Sequence, residues 1–320
     1  MPTVVGGPPV SGSPNPAVSG RSRPRPPALV LLPLVDLDPD LAALRRLGGF
    51  FVLRTTAPPA ATDPARPLPT LARVYADVPA GGPSHGPSHE AAPEPPHTPP
   101  QGPPHTPPHP PPPAPPDAHA HPLAFRVRKV ALALRTSETR TAASVAQQGL
   151  AARLWSVALG SAALYGRLPD LDPGLLRWDP DGSAPDDLWL TEVRARPATA
   201  GALADAVLHG HLEPLAAALR ARHPVAPGLL RGNAASALAG AARGLGEWAR
   251  AHGRTDVAAR SRTLTAELFA HPLLASTGLR TGTAFRRRSC CLYYRVPGGG
   301  VCGDCCFPSP PRSSPRAPSG

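Results

Sequence analysis

The chain has 320 residues, a formal net charge of +11, 49 prolines and 30 glycines. So much proline and glycine, clustered as it is, leaves about 200 residues for a core, enough for one well-buried domain. Only Lys129 among the 33 basic residues is lysine. Such an arginine excess follows from GC-rich codon usage. Without basic runs interleaved with stacking aromatics, or a helix-turn-helix signature, it excludes nucleic acid as the expected partner.

Residues 1–27 form a Pro/Gly/Ser tail and are expected to be disordered. They contain no apolar run of signal-peptide length, and ALVLLPLV at 28–35 is too short to span a bilayer and carries Pro33. The expectation is a cytoplasmic chain with no integral membrane segment. Residues 28–78 read as the N-terminal part of a helical domain. LDPDLAALRRLGGFF predicts a short helix with Asp38 as N-cap, Pro39 at its first position and Gly48 near its stop. FFVLRT at 50–55 predicts a short strand, and PLPTLARVYADV at 67–78 a helical turn or two.

Residues 79–122 repeat GPSH and PPHTPP and carry seven of the twelve histidines. Proline removes backbone donors and fixes φ, so this insert reads as an extended linker of biased composition. Metal binding by its histidines is the lesser alternative.

The main helical domain spans 123–280. Leu123, Val127, Val130 and Leu134 form one apolar stripe, and Ser137 and Glu138 mark a break and restart. Leu150, Leu154, Val157, Ser161 and Leu164 carry the next helix to Gly166. LLRW and LWLTEV predict a hairpin around an Asp-Gly turn. Further helices are expected at 202–222, from Pro227 through RGNAASALAGAARGLGEWARAHG, and at 256–270. The fold class is mainly α, a helical domain with a few short strands, a Pro/His-rich insert and a small C-terminal cysteine-rich lobe. Residues 308–320 are expected to be a second disordered tail.

All five cysteines fall at 290–306, within a segment bounded as 281–307. Their odd number and a reducing compartment argue against disulfides. Cys290, Cys291, Cys302 and Cys305 give the spacing C-C-x10-C-x2-C. Thiolates select zinc, copper(I) or iron–sulfur clusters. Adjacent cysteines in extended chain point apart, which strains a single zinc site but suits a two-iron target, so the spacing leans to iron–sulfur and leaves zinc open. The PGGG turn at 297–300 is expected to aim backbone N–H groups at sulfur. Arg286, Arg287, Arg288 and Arg295 are expected to raise the potential. Cys306 reads as a spare thiol.

RRRSCCLYYRVPGGGVCGDC resembles the C-terminal signature of the FhuF-like ferric siderophore reductases. The similarity extends to LLRGNAASALAGAARG, RTAASVAQQGLAARLWS, LPDLDPGLLRW, LGGFF and PLPTLARVYAD. The resemblance implies a [2Fe–2S] cluster on Cys290, Cys291, Cys302 and Cys305, with Cys306 outside the four-ligand pattern. It also makes the 79–122 segment an insertion within one domain. The implied activity is one-electron reduction of a bound ferric siderophore by outer-sphere transfer. No G-x-G-x-x-G follows a strand, so the electron is expected from outside, from a reductase, a ferredoxin or a small reductant. Arg153, Trp155, Arg231, Asn233, His209 and His211 are candidates to contact an anionic chelate, although Trp155 reads better as core and the histidines as helix surface. A zinc-stabilised interaction module and an iron–sulfur carrier without a siderophore substrate are the alternatives.

Overall fold

A computed structural model describes residues 37–55, 67–76, 117, 120–183 and 187–311 of the protein. The expected tail at 1–27, residues 312–320 of the expected C-terminal tail and nearly all of the Pro/His-rich insert lie outside the described residues. Two long helices organise the rest. α4 (Thr139–Tyr165) and α7 (Pro227–Ala251) pack along each other, and α4 is buried almost all round. Both faces are rich in alanine, glycine and serine, which let the backbones approach closely. Each helical glycine costs about 1 kcal/mol of propensity, so tight packing must offset it. α4 starts after Glu138, as the break at Ser137 and Glu138 predicts, and ends on Gly166 in the left-handed conformation with φ 66°.

The other elements surround this pair. α1 (Leu37–Ala43) runs into two short 3-10 turns separated by Gly48, and α2 is Leu71–Ala76. α1 begins one residue before Asp38, the expected N-cap. α3 (Pro122–Ala133) lays Leu123 and Val127 into the core beside α4. α8 (Thr255–Ala270) covers α7, followed by the single turn α9 (Pro272–Ala275). One buried cluster includes Leu41, Leu71 and Val74 from before the insert and Leu154, Leu159 and Leu238 from after it. Phe51 fills the crossing of the long helices. A Cβ on Gly160 of α4 would stand 2.9 Å from its ring, and one on Gly244 of α7 3.7 Å.

The strands are short. β2 (Leu176–Trp178) pairs antiparallel with β3 (Leu188–Leu190), the hairpin the sequence predicts, although nine residues separate the strands where a tight Asp-Gly turn was expected. β1 (Arg167–Pro169) pairs with β4 (Ala195–Pro197) and has no sequence signal beyond its ends. The expected strand at FFVLRT is corrected: Gly49–Phe51 is a 3-10 turn, and only Arg54 bridges to Trp189. Phe51 and Leu53 are needed as core plugs, and that burial overrides the β-propensity of the run. The helix expected at 202–222 is also altered. α5 (Ala200–Ala204) and α6 (Glu213–Arg222) flank a π-helical stretch, Asp205–Leu212. Pro214 has no N–H for the carbonyl four residues back, and its ring would strike that group. Widening the preceding turns accommodates it.

The π segment places His211 in the core and not on the helix surface. Its Nδ1 accepts from the Tyr75 hydroxyl at 2.8 Å, and Nε2–H donates to the Leu171 carbonyl at 2.6 Å. Burial lowers its pKa from 6.5 to about 4. Below pH 6.5 the unfolded chain takes up a proton that the folded chain refuses until about pH 4. Stability from this group is therefore complete above 6.5 and falls as pH drops towards 4, by about 3 kcal/mol in total. We predict that denaturant unfolding between pH 7.5 and 4.5 shows this loss. A His211→Gln variant should be weaker at neutral pH yet lose about 3 kcal/mol less on acidification.

Candidate functional site

The cysteine-rich lobe is delivered by a hairpin. β5 (Gly278–Thr281) pairs with β6 (Ala284–Arg287), and Gly282 turns it at φ 60°. Arginine at alternate exposed positions hides the strand pattern here, and the readable signal was Thr281-Gly282-Thr283. Phe285 alternates inward to the core, and so does Arg287, which is 2% exposed.

Arg287 begins a buried chain of hydrogen bonds. Its Nη2 donates to Asn233 Oδ1 at 2.6 Å. Asn233 Nδ2 donates to the Ser144 carbonyl at 2.9 Å, and Ser144 Oγ donates to the Cys291 carbonyl at 2.8 Å. β6, α7, α4 and the cysteine pair are thereby joined. The neighbouring Gly232 leaves room for the contact: a Cβ there would lie 2.2 Å from Ser289 Oγ, which itself donates to the Gly228 carbonyl at 3.0 Å.

Two further anchors hold the lobe. Asp304, inside the C-x2-C loop, accepts from Ser236 Oγ at 2.6 Å and pairs with Arg243 Nη1 at 2.9 Å, both on α7. Arg287 N–H also donates to the Asp304 carbonyl at 2.9 Å. At the rim Arg295 forks onto Glu138, with Nε donating to the carboxylate oxygens at 2.8 Å. The hydrogen bonds from Arg295 hold the Glu138 carboxyl down to about 2.

The thiols fall into two groups. Cys291 and Cys302 share a hydrogen bond, which lowers the Cys291 thiol to about 7 and raises that of Cys302, because the second proton would leave two thiolates side by side. Cys290, Cys305 and Cys306 form the other group, with the Cys306 thiol against both others. Burial raises the Cys290 and Cys306 thiols. Four of the five cysteines share one backbone register, whereas Cys306 is served by its own amide. Each of Cys290, Cys291, Cys302 and Cys305 takes an N–H from the residue two further on. The Leu292 amide reaches Cys290 Sγ at 3.2 Å and the Phe307 amide reaches Cys305 Sγ at 3.4 Å. Tyr293 serves Cys291 and Asp304 serves Cys302. The corresponding residue for Cys306 is Pro308, which has no N–H. Phe307-Pro308 was thus a readable signal that spacing alone did not use.

The tuning expectations are partly redrawn. The Gly299 amide donates to the Val296 carbonyl at 2.8 Å, so it is spent on the turn and not on sulfur. A Cβ on Gly299 would stand 2.5 Å from the Tyr293 carbonyl, so compactness explains this glycine. Leu292 makes the reversal after the cysteine pair in the left-handed region at φ 68°, a strained position for a leucine. Among the four arginines, Arg295 is engaged by Glu138, Arg286 caps the Cys306 carbonyl at 3.1 Å, and Arg288 reaches the Ser276 carbonyl at 3.5 Å. Arg287 alone is buried. Its charge favours the thiolate form of Cys290, Cys291 and Cys302.

These residues fit an anionic two-centre group. The thiols stand as two sets and not as one quartet, and among the described residues no three His, Cys, Asp or Glu side chains converge on a point for a single metal ion. Nε and Nη1 of the buried Arg287 lack hydrogen-bond partners, leaving a positive charge unmet beside the thiols. Four thiolates around two irons would supply the balancing negative charge. The lobe is not sealed. Cys302 and Asp304 line a cleft of about 400 Å³ with Phe50, Gln148 and Arg243, and Phe50 is 49% exposed.

The segment is thus an iron–sulfur lobe, and its cofactor is a [2Fe–2S] cluster. Residues 287–307 match the family model described as the FhuF 2Fe-2S C-terminal domain, as the resemblance implied. Comparison with curated proteins gives no match. No helix among the described residues is long and apolar enough to cross a membrane.

The remaining candidates separate by position. Arg153 is buried and structural: its Nε pairs with Asp187 at 3.2 Å and its Nη1 donates to the Gly49 carbonyl at 2.8 Å. Trp155 is core at 0% exposure. Asn233 belongs to the lobe anchor. His209 is on the surface, hydrogen-bonded to Glu213 at 2.6 Å, and Arg231 lines a separate hollow beside α6. The close approach at Gly232 gives a test. Gly232→Ala should lower stability by about 1–3 kcal/mol and loosen the lobe, read by thermal unfolding and cluster retention. Adding Ser289→Gly, which removes the clashing hydroxyl, should restore part of both.

Proposed function

We propose that the protein is a ferric siderophore reductase, acting in the cytoplasm on siderophore-bound Fe(III) and releasing it as Fe(II). In this reading Cys290, Cys291, Cys302 and Cys305 are the cluster ligands, and a [2Fe–2S] cluster supplies one electron at a time. The observation that carries the reading is the cleft against Cys302. A carrier that only exchanges electrons with proteins needs an exposed edge. A concavity walled by Phe50 and Gln148 suits a small chelate.

The chain's residues then have distinct tasks. Asp304 and Arg243 fix the C-x2-C loop at the mouth of the cleft, so a docked chelate meets Cys302 in one geometry. Arg287 stabilises negative charge in the lobe, and the four i+2 amides do the same at each sulfur. Hard oxygen donors hold Fe(III) far more tightly than Fe(II), so a single electron suffices for release. An external donor, either a reductase, a ferredoxin or a small reductant, restores the reduced state.

The activity is tested by mixing dithionite-reduced protein with a ferric siderophore in a stopped-flow instrument. Visible bands of the oxidised cluster should return faster than in a ligand-free control; equal rates exclude a reductase. The ligand assignment is tested separately by iron content. Cys306→Ser should keep the full iron and sulfide content, whereas Cys305→Ser should lose most of it. The reverse result would place the fourth ligand at Cys306.

A further inference from the structure

A second hollow adjoins the cleft, with Arg243 in the lining of both. It has a volume of about 340 Å³ and sits between α7, α8 and the β5–β6 hairpin. Arg243, Arg250, Arg262 and Arg280 line it, against a single carboxylate, Glu247. Arg243 is already paired with Asp304. Arg250, Arg262 and Arg280 form no ion pair among the described residues. Arginine-rich surface by itself follows from codon usage, but one further feature sets this hollow apart. Its walls are apolar and aromatic: Ala239, Ala242, Ala258 and the Phe269 ring, with the Arg280 guanidinium 5.4 Å from the ring centroid.

Positive charge and an aromatic wall together describe a ligand that is anionic and aromatic at once. Guanidinium groups recognise such a ligand twice, by charge and by stacking on ring faces. The hollow also has a defined relation to the redox lobe. Arg243 lines both it and the cleft against Cys302, so a ligand bridging the two is held at one end by arginines and presented to sulfur at the other.

We propose that this hollow is the docking site for a catecholate-type ferric chelate, whose ionised, aromatic arms enter among Arg250, Arg262 and Arg280. The proposal rests on the reductase reading for its substrate but on separate residues for its support. A tris-catecholate complex of a trivalent metal carries charge −3, whereas a tris-hydroxamate complex is neutral. The hollow should therefore distinguish them by charge.

Gallium(III) complexes provide a redox-inert test, because binding is then measured without electron transfer. With cluster-loaded full-length protein, calorimetric titration should show the gallium tris-catecholate complex binding more tightly than the neutral tris-hydroxamate complex. Arg262→Glu and Arg280→Glu should each weaken catecholate binding at least tenfold and leave the thermal midpoint within a few degrees. Arg128→Glu, an equal change of net charge on exposed α3 surface, should leave binding within twofold.

Equal weakening by Arg128→Glu, or none by Arg262→Glu and Arg280→Glu, overturns the site. If gallium tris-catecholate does not bind the wild-type protein, but a ferric siderophore reoxidises the reduced protein, the docking site is wrong and the reductase stands. If the arginine variants lose binding while no ferric siderophore reoxidises the protein, the site holds and the reductase is wrong.

Discussion

The buried run of hydrogen bonds from Arg287 through Asn233 and Ser144 to the Cys291 carbonyl is the constraint on which the lobe depends. It joins four elements in a region with little water. Each link satisfies a group that would otherwise cost about 1–3 kcal/mol to bury. Removing one member strands its neighbours, so the chain acts as a unit. It also fixes where the lobe can sit. Asn233 and Ser144 face each other only because α4 and α7 lie close, and their small side chains set that spacing. The helical body is therefore the jig that positions the cysteine lobe, although it supplies none of the cysteines.

The lobe needs such pins because it has little apolar surface of its own. From residue 278 onward Phe285, Cys291 and Val296 are the buried hydrophobics among the described residues. That is far too little to order thirty residues of chain by burial alone. Polar anchors at Arg287, Asp304 and Arg295 do much of the remaining work. Metal–thiolate bonds supply the rest, since cluster binding in a segment of this kind is also folding free energy. Arg287 shows the two contributions meeting. Its backbone and one nitrogen serve the anchor, while Nε and Nη1 carry charge that the protein itself leaves unmatched.

What the sequence disclosed follows the range of the interactions. The long helices were readable because apolar period, proline starts and glycine stops are local, and Glu138 and Gly166 bound α4 as expected. The cysteine segment was readable because the spacing C-C-x10-C-x2-C is also local, and it is the part that matches the family model. The role of Asn233 was not, because its partners lie 89 residues before it and 54 residues after it. His211 was misplaced by counting surface from ordinary helical period, since the π turns imposed by Pro214 rotate it inward. FFVLRT had strand propensity but was needed as a plug between two glycines. The two hollows flanking α7 carry no sequence mark at all, because they are defined by what three separate elements leave unfilled.

The Glu138–Arg295 contact differs from the other anchors in having both partners partly exposed. Both side chains are about one-third exposed, at 31% and 35%, and the pair is open to ionic screening. The lobe is therefore riveted on one side and latched on the other. Salt weakens the latch more than it weakens the buried hydrogen bonds at Asn233 and from Ser236 to Asp304. Residues 292–300 carry Arg295 and the glycine turn, whereas the C-x2-C loop is tied to α7 through Asp304. Ionic strength therefore acts unequally on the two edges of the lobe.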